Sequence, residues 1–475
     1  MLTLAAARAR AGQPFRTSVT GEPRAPLCGM GVCHECRVTI EGDAHQLACV
    51  LPAKQATHAT SPSQAVSRGV GAGLREERCD VLVIGGGPAG LAAARAAGGA
   101  GADVLLLDEH MALGGPIYRA LERPWPAPPR VHRQTRVVAA IDGGVLAEDG
   151  AGALIARYRE VIVAPGAREL LLPFAGWTLP GVFGAGGLQL LAKGGWPVEG
   201  KRVVVGGTGP LLRAAAAGLR KLGARIVGIA ELAPAGRIAR FGVGLAAHPG
   251  KLAQAASLSA QLIGVPVWSR ALIRRAHGEG SVTGATIDVG GRTRTVECDL
   301  IAAGFGLVPS IELPLMLGCA VAEARVVVDE LGATSVPAVR CAGEATGIGG
   351  IDKALLEGEI AGLAAAGREP PARLLRKRRA ALRFAEALAA CFPAPRDWAG
   401  VVEDDTIVCR CEDVRWGALR DADDVRAAKL HTRAGMGACQ GRVCGSALAV
   451  LRGFPHGTIR PPVAPVRLET LTMMR

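Results

Sequence analysis

The chain has 475 residues, 49% of them apolar and 20% charged, with a formal net charge of +13. That composition is globular and long enough for about two to four domains, which excludes a disordered or fibrous chain. The positive charge is mostly arginine spread thinly along the sequence, and its only dense run, RLLRKRR at 373–379, lacks interleaved aromatics, which sets nucleic-acid binding aside.

That basic run reads instead as the solvated face of a helix or a docking patch. The opening MLTLAAARARAGQPF has no charged start leading into an apolar core and cleavage site, so no targeting segment is expected. There is also no run of 18 apolar residues, so no membrane span is expected. The expected location is the cytoplasm, with the surface of the inner membrane as the alternative. Thirteen cysteines in such a chain point to metal binding rather than to disulfides. Eight fall into two compact sets. Cys79, Cys298, Cys319, Cys341 and Cys391 are scattered and read as buried thiols.

The first set is Cys28, Cys33, Cys36 and Cys49, in LCGMGVCHECRVTIEGDAHQLAC. The spacing C-x4-C-x2-C with a later fourth cysteine is that of plant-type [2Fe–2S] ferredoxins. Gly29 and Gly31 suit a loop that wraps two irons with unusual backbone angles. Structural zinc is the alternative, although it favours CxxC or CxxH pairs. Residues 1–60 therefore read as a ferredoxin-like domain. Its start reads as truncated or misassigned, because a leading β-hairpin is missing. From Pro52 to Glu77 the composition turns to Ser, Thr, Gln, Pro and Gly, with 61–77 as the linker proper.

Residues 81–109, VLVIGGGPAGLAAARAAGGAGADVLLLDE, follow in strand–turn–helix–strand order. Gly85, Gly87 and Gly90 stand in GxGxxG spacing: the first permits the turn, the second admits a pyrophosphate, and the third lets helix pack on strand. Asp108 closes the second strand where an acid would hold a ribose hydroxyl. LGGPIYRALERPWPAPP reads as a loop, and Val161–Ala164 as an apolar strand. Residues 201–231 repeat the unit at lower fidelity. Leu212 takes the place of the third glycine, Ala230 takes the place of the acid, and Glu231 comes one residue late. Leu212 is expected to disturb this second turn, so whether the 207–231 unit binds a second nucleotide stays open. Further on, Gly343-Glu344 meets a Gly-rich turn and an amphipathic helix. Glu344 is either a contact for the sugar-alcohol chain of a flavin or a helix cap. The second cysteine set is Cys409, Cys411, Cys439 and Cys444, spaced C-x-C-x27-C-x4-C with glycines at 435, 437, 441 and 445. It fits a small cluster domain, with zinc again the alternative.

GWTLPGVFGAGGLQ (176–189), GEATGIGGIDKALLEG (343–358) and TRAGMGACQGRVCG (432–445) resemble the FAD-containing subunits of bacterial amine-oxidising dehydrogenases. These include hydrogen cyanide synthase, opine oxidase and D-hydroxyproline dehydrogenase. CGMGVCHEC resembles their small ferredoxin-like subunit, here fused in front. The resemblance implies an α/β fold with two Rossmann-like dinucleotide-binding domains of the disulfide-reductase-like class, flanked by two [2Fe–2S] domains. The FAD domain is expected at 78–195 and 309–370, the second Rossmann domain at 196–308, a linker helix at 371–400 and the C-terminal cluster domain at 401–475. FAD contacts are expected at Gly85, Gly87, Pro88, Ala89, Gly90, Asp108, Glu109, Gly115, Val137, Ala164, Gly166, Gly343 and Glu344. No catalytic residue is assigned. The implied partner is a D-amino-acid-oxidase-like subunit that oxidises the amine, and the implied acceptor is a one-electron carrier or the respiratory chain. Two departures stand out. The family's usual Gly-Gly-Gln-Ile-Tyr-Arg appears here with Pro116 in place of Gln, and its Ala-Thr-Gly is Ala164-Pro165-Gly166. A self-sufficient NAD(P)H-dependent reductase is the rival reading, and an iron-donating or partner-docking module a second one.

Overall fold

A computed structural model describes residues 2–40, 43–55, 59–60, 73–118, 130–395, 397–455, 457 and 459–474. The chain divides into two units, each assembled from three separate stretches. Unit 1 comprises Met1–Ser67, Glu169–Gly306 and Ala389–Gly457; unit 2 comprises Arg68–Arg168, Leu307–Leu388 and Thr458–Arg475.

Unit 2 is organised on the strand Arg75–Ile84. Val104–Asp108 and then Arg130–Arg133 lie on one side of it, in parallel. Gly152–Val163 lies on the other side, also in parallel, followed by antiparallel Gly144–Asp149 and Arg136–Ile141. Val339–Cys341 returns to pair with residues 161–163. Val81–Val83, Leu105–Leu107 and Val161–Val163 have no exposure, as parallel strands covered on both faces require. The first strand starts at Arg75, inside the expected linker. Its polar half is held by side-chain pairs, Glu77 with Arg130 at 2.9 Å and Glu76 with Arg157 at 2.8 Å, which a hydrophobic pattern does not reveal. Residues 61–72 of that linker lie outside the described residues.

The helix Pro88–Gly99 packs on Ile351–Ala365 through small side chains and a close backbone approach. A Cβ added at Gly358 or Gly362 would overlap the carbonyl oxygens of Ala89 and Ala93. Gly115–Tyr118 forms one short helical turn where a loop was expected; residues 119–129 of the same stretch lie outside the described residues. The run at 373–379 does lie on a helix, Ala372–Cys391, where Arg378 meets Glu357 and Arg379 meets Glu330.

Unit 1 holds a five-stranded parallel sheet in the order Val182–Gly184, Leu300–Gly304, Arg202–Gly207, Arg225–Glu231, Val267–Ser269. An antiparallel meander, Ala271–His277, Gly284–Val289 and Arg292–Glu297, follows it. Val182–Gly184 was expected with the FAD domain. It belongs here because Val182 and Phe183 bury themselves against Ile301 and Ala302 of the second sheet. Both cysteine modules also lie in unit 1. The first has the helix Leu4–Arg10, the strand pair Arg16–Thr17 with Pro23–Arg24, and a sheet of Arg37–Ile40 between Asp43–Leu47 and Ala59–Thr60. The second has the pair Ile407–Cys409 with Val414–Arg415 and the helices Val425–Thr432 and Cys444–Arg452.

The tail does not stay with the C-terminal module expected at 401–475. Residues 459–474 belong to unit 2, where Glu148 accepts hydrogen bonds from Arg467 N and the Thr470 hydroxyl. Val466, Met473 and Met474 there cover Val138, Ala139, Leu146 and Ala153. Among the described residues no helix is long and apolar enough to cross a membrane.

Candidate functional site

In unit 2 most of the expected cofactor residues lie on or against one turn. Gly85 has φ +106, and a Cβ on it would overlap the Ala164 carbonyl; a Cβ on Gly90 would overlap Gly85 O. Both positions therefore demand glycine for close backbone approach. Gly87 differs. Its Cβ would meet no protein atom within 4 Å, so the surface beside it is open. Pro88 sits at the start of the helix, where its missing N–H costs nothing. The Cα of Gly87 lies 3.4 Å from a Cβ built on Gly115, and a Cβ on Gly343 would come 2.8 Å from that of Ala89. The 343–346 turn thus abuts the first helix. Gly166 has φ +73, and its carbonyl accepts from Ser310 N at 3.0 Å.

Asp108 is buried, and its carboxylate already accepts Gly86 N–H and, at 2.6 Å, His110 N–H. It holds the turn closed. A carboxylate has about four acceptor sites, so it retains capacity for a ligand hydroxyl. Glu109 points elsewhere and pairs with Arg136 at 3.1 Å. The Val137 side chain belongs to the core, which leaves only its backbone available to a ligand. Glu344 takes the capping role: its carboxylate accepts from Gly350 N at 2.7 Å and Gly349 N at 3.3 Å, and burial pushes its pKa up. Sequence reasoning missed what locks this turn. Lys353, 1% exposed, donates to Gly343 O at 2.8 Å and to Thr346 Oγ1 and Glu357 Oε2 at 2.7 Å. Glu357 in turn accepts Gly343 N–H at 3.1 Å. The i,i+4 spacing of Lys353 and Glu357 was a visible signal.

The second turn, in unit 1, is well formed despite Leu212. That side chain is fully buried, and Gly207 makes the same close approach to Gly304 O that Gly85 makes to Ala164 O. Glu231, not Ala230, serves as the acid. It accepts from Gly209 N at 3.1 Å and Ala233 N at 2.9 Å, and a register shift after Val203, where Val204 pairs with Gly228, absorbs the offset and sets Glu231 opposite Gly207. Burial raises its pKa. The end of the Ala372–Cys391 helix lies against this turn. The Cβ of Phe392 is 4.0 Å from a Cβ built on Gly209, its ring packs edge-on to Phe241 at 5.7 Å, and Cys391 Sγ donates to Arg237 O.

All eight cysteines of the two sets are buried and unbridged. They associate as pairs: Cys28 with Cys33, Cys36 with Cys49, Cys409 with Cys444, and Cys411 with Cys439. Among the described residues no three His, Cys, Asp or Glu side chains converge as donors to a single ion. Two pairs per set suit a two-iron cluster, which takes two thiolates to each iron. Backbone N–H groups already face the sulfurs. Cys28 Sγ accepts from Met30 N at 3.5 Å and Cys33 N at 3.4 Å, with Gly29 at φ +62 and Gly31 at φ +83 shaping the loop. In the second set the thiol of Cys411 pulls the Cys439 pKa down to about 6 against burial, helped by the Val443 and Gly441 N–H groups. A Cβ on Gly437 would overlap that of Cys411. The first loop rests on the start of the helix Ala185–Lys193: Gly184 N donates to Leu27 O at 2.8 Å, and a Cβ on Gly29 would come 2.6 Å from Gly187 O. The same helix start is held by Glu169 through Gly186 N and Gly187 N at 2.7 and 2.9 Å, and burial pushes the pKa of Glu169 up to about 7.

Two family models match the chain. A family model described as pyridine nucleotide-disulphide oxidoreductase matches residues 79–366, and one described as a 2Fe-2S iron-sulfur cluster binding domain matches 2–64. The chain is 33% identical over 457 residues to the A subunit of opine oxidase from Rhizobium meliloti (strain 1021), in a match that spans 82% of this chain and 97% of that one. It is 31% identical over 424 residues to the HcnB subunit of hydrogen cyanide synthase from Pseudomonas aeruginosa, over 76% and 90%. Among solved structures, L-proline dehydrogenase from P. horikoshii matches with a TM-score of 0.72 at 19% identity, over 99% of this chain and 94% of that one. At that identity the likeness speaks for the fold alone.

Proposed function

The chain belongs to the pyridine nucleotide-disulphide oxidoreductase family, with a 2Fe-2S domain ahead of it, and on that premise we propose that it passes electrons from a partner amine-oxidising subunit to a one-electron or respiratory acceptor. It is an FAD-dependent oxidoreductase carrying a [2Fe–2S] cluster. The observation behind the electron-transfer reading is the presence, in one chain, of a closed dinucleotide turn and eight thiols arranged as four pairs. Bound FAD supplies two-electron chemistry, and iron–sulfur centres take electrons singly. The protein's own part is positioning. Gly87 leaves room for the pyrophosphate, Asp108 holds the turn and faces the ribose, and the Lys353–Glu357 pair fixes the 343–346 turn. Cys28, Cys33, Cys36 and Cys49 hold the N-terminal cluster; Cys409, Cys411, Cys439 and Cys444 hold a second one. The amine is oxidised on a D-amino-acid-oxidase-like subunit, in line with opine oxidase and hydrogen cyanide synthase being named by subunit.

Two expected outcomes test this. Purified alone, the chain gives no turnover of opines, D-hydroxyproline or glycine with a dye acceptor, while the complex with the partner subunit does; robust turnover by the lone chain overturns the assignment. The second concerns the self-sufficient NAD(P)H reductase. Glu231 already takes the Gly209 and Ala233 N–H groups at the second turn, and the Phe392 Cβ lies 4.0 Å from a Cβ built on Gly209, so the room for the pyrophosphate of a nicotinamide cofactor is narrower there than at Gly87. Anaerobic NADH or NADPH therefore leaves the flavin absorbance of the lone chain unchanged over many minutes. Rapid bleaching would favour the reductase.

A further inference from the structure

A buried group of charges in unit 1 joins the two cysteine loops. Glu35 lies between Cys33 and Cys36, and Arg410 lies between Cys409 and Cys411. Arg16 grips both oxygens of Glu35, at 3.2 and 3.1 Å, and donates to Arg410 O at 2.9 Å. Arg410 Nε stands 3.4 Å from Glu35 Oε1. Its NH1 donates to Trp177 O at 2.7 Å, and its guanidinium lies 5.0 Å above the Trp177 ring. Arg16, Glu35 and Arg410 are 5%, 1% and 3% exposed. A parallel link is made by Arg24 and Asp413 at 2.7 Å, the same carboxylate taking the Thr20 hydroxyl at 2.7 Å and Thr20 N at 3.1 Å.

Stability alone does not account for this arrangement. Removing such charges from water costs several kcal/mol each, and an apolar contact of the same volume is often as stable or more so. What charges add is a fixed geometry and a field. Glu35 is near enough to act on thiols of both sets, Cys33 in one and Cys411 and Cys439 in the other. Arg37, which donates to His34 O at 3.0 Å, faces Cys411 and Cys439 as well. Arg16 and Arg37 act on Cys411, and Arg410 acts on Cys33, so cations of this group stand beside thiols of both sets, a placement that favours reduced, more negative clusters.

We propose that Arg16, Glu35 and Arg410 are positioning residues that hold the two cysteine loops against each other, so that the two clusters act as one coupled pair. The inference rests on the second set holding a cluster, as proposed above. Each [2Fe–2S] centre gains one electron and no proton. With both clusters bound, the pair could take the two electrons of one reduced flavin, one on each cluster, and the flavin's protons would go to solvent.

The test uses the full chain, purified anaerobically, with iron and acid-labile sulfide counted before electron paramagnetic resonance of the dithionite-reduced protein. Four irons and four sulfides are expected, with two spins that broaden each other and speed each other's relaxation; Cys439→Ser should narrow the signal that remains. Glu35→Gln should keep the iron and flavin counts, weaken the interaction and raise the midpoint potentials, because it removes a negative charge. Arg410→Lys, which keeps the charge, should retain the coupling. Four irons with two simply additive spectra in the unaltered protein overturn the clamp and leave the two-cluster reading standing. Two irons overturn that reading, and the clamp with it. The spectrum of the unaltered protein decides the matter even if a variant fails to fold.

Discussion

Gly87→Val gives a folded protein without flavin. Gly87 has φ −75 and ψ −175, an extended conformation open to any residue, and its Cβ would meet no protein atom. Valine there costs the following helix about 1 kcal/mol as a poorer N-cap. Its side chain fills the open space that a pyrophosphate needs. The expected result is loss of nearly all the visible flavin absorbance, with circular dichroism unchanged and the iron content kept. Gly90→Ala is a poorer probe, because its Cβ meets Gly85 O and breaks the turn itself. Purified Gly87→Val protein with a full flavin spectrum would falsify the assignment of FAD to this turn.

The second large effect is on iron. If each set supplies the four thiolates of one cluster, as proposed, Cys36→Ser and Cys439→Ser should each halve the iron and sulfide while FAD stays bound. The pairing refines the expectation. On that proposal Cys28 with Cys33 and Cys36 with Cys49 would each serve one iron, so losing Cys36 would strand its partner Cys49 and leave the other pair intact but without a cluster to complete. Metal analysis and sulfide assay check this directly. Zinc without labile sulfide in anaerobically prepared protein would overturn the electron-transfer reading for both sets.

Much of this was legible along the chain because it is written locally. Strand, glycines, helix and Asp108 fall within 81–109, and each cysteine set falls in one or two short stretches, so spacing alone grouped residues that the fold also places together. What escaped was of two kinds. One was register: Glu231 does the work assigned by position to Ala230, because an irregularity after Val203 shifts the strand pairing by one residue and brings Glu231 opposite Gly207. The other was distance in sequence. Arg16 meets Arg410 across 394 positions, and each looked like an ordinary basic residue. Val182–Gly184 likewise reads as a strand of either Rossmann domain until its partner, Leu300–Gly304, is known.

The return of residues 459–474 to unit 2 bears on how the protein is made. Each unit is drawn from three stretches that interleave along the chain, so a ribosome cannot deliver one complete unit and then the other. The early strands around Val138 and Leu146 wait for Val466, Met473 and Met474 to cover them. Until then they form an exposed apolar face on a partly synthesised chain, the sort of surface that chaperones hold and that aggregates when synthesis stalls. Shortening the tail would therefore damage the flavin unit, far along the sequence from the cut, before it touched the cysteine module next to it.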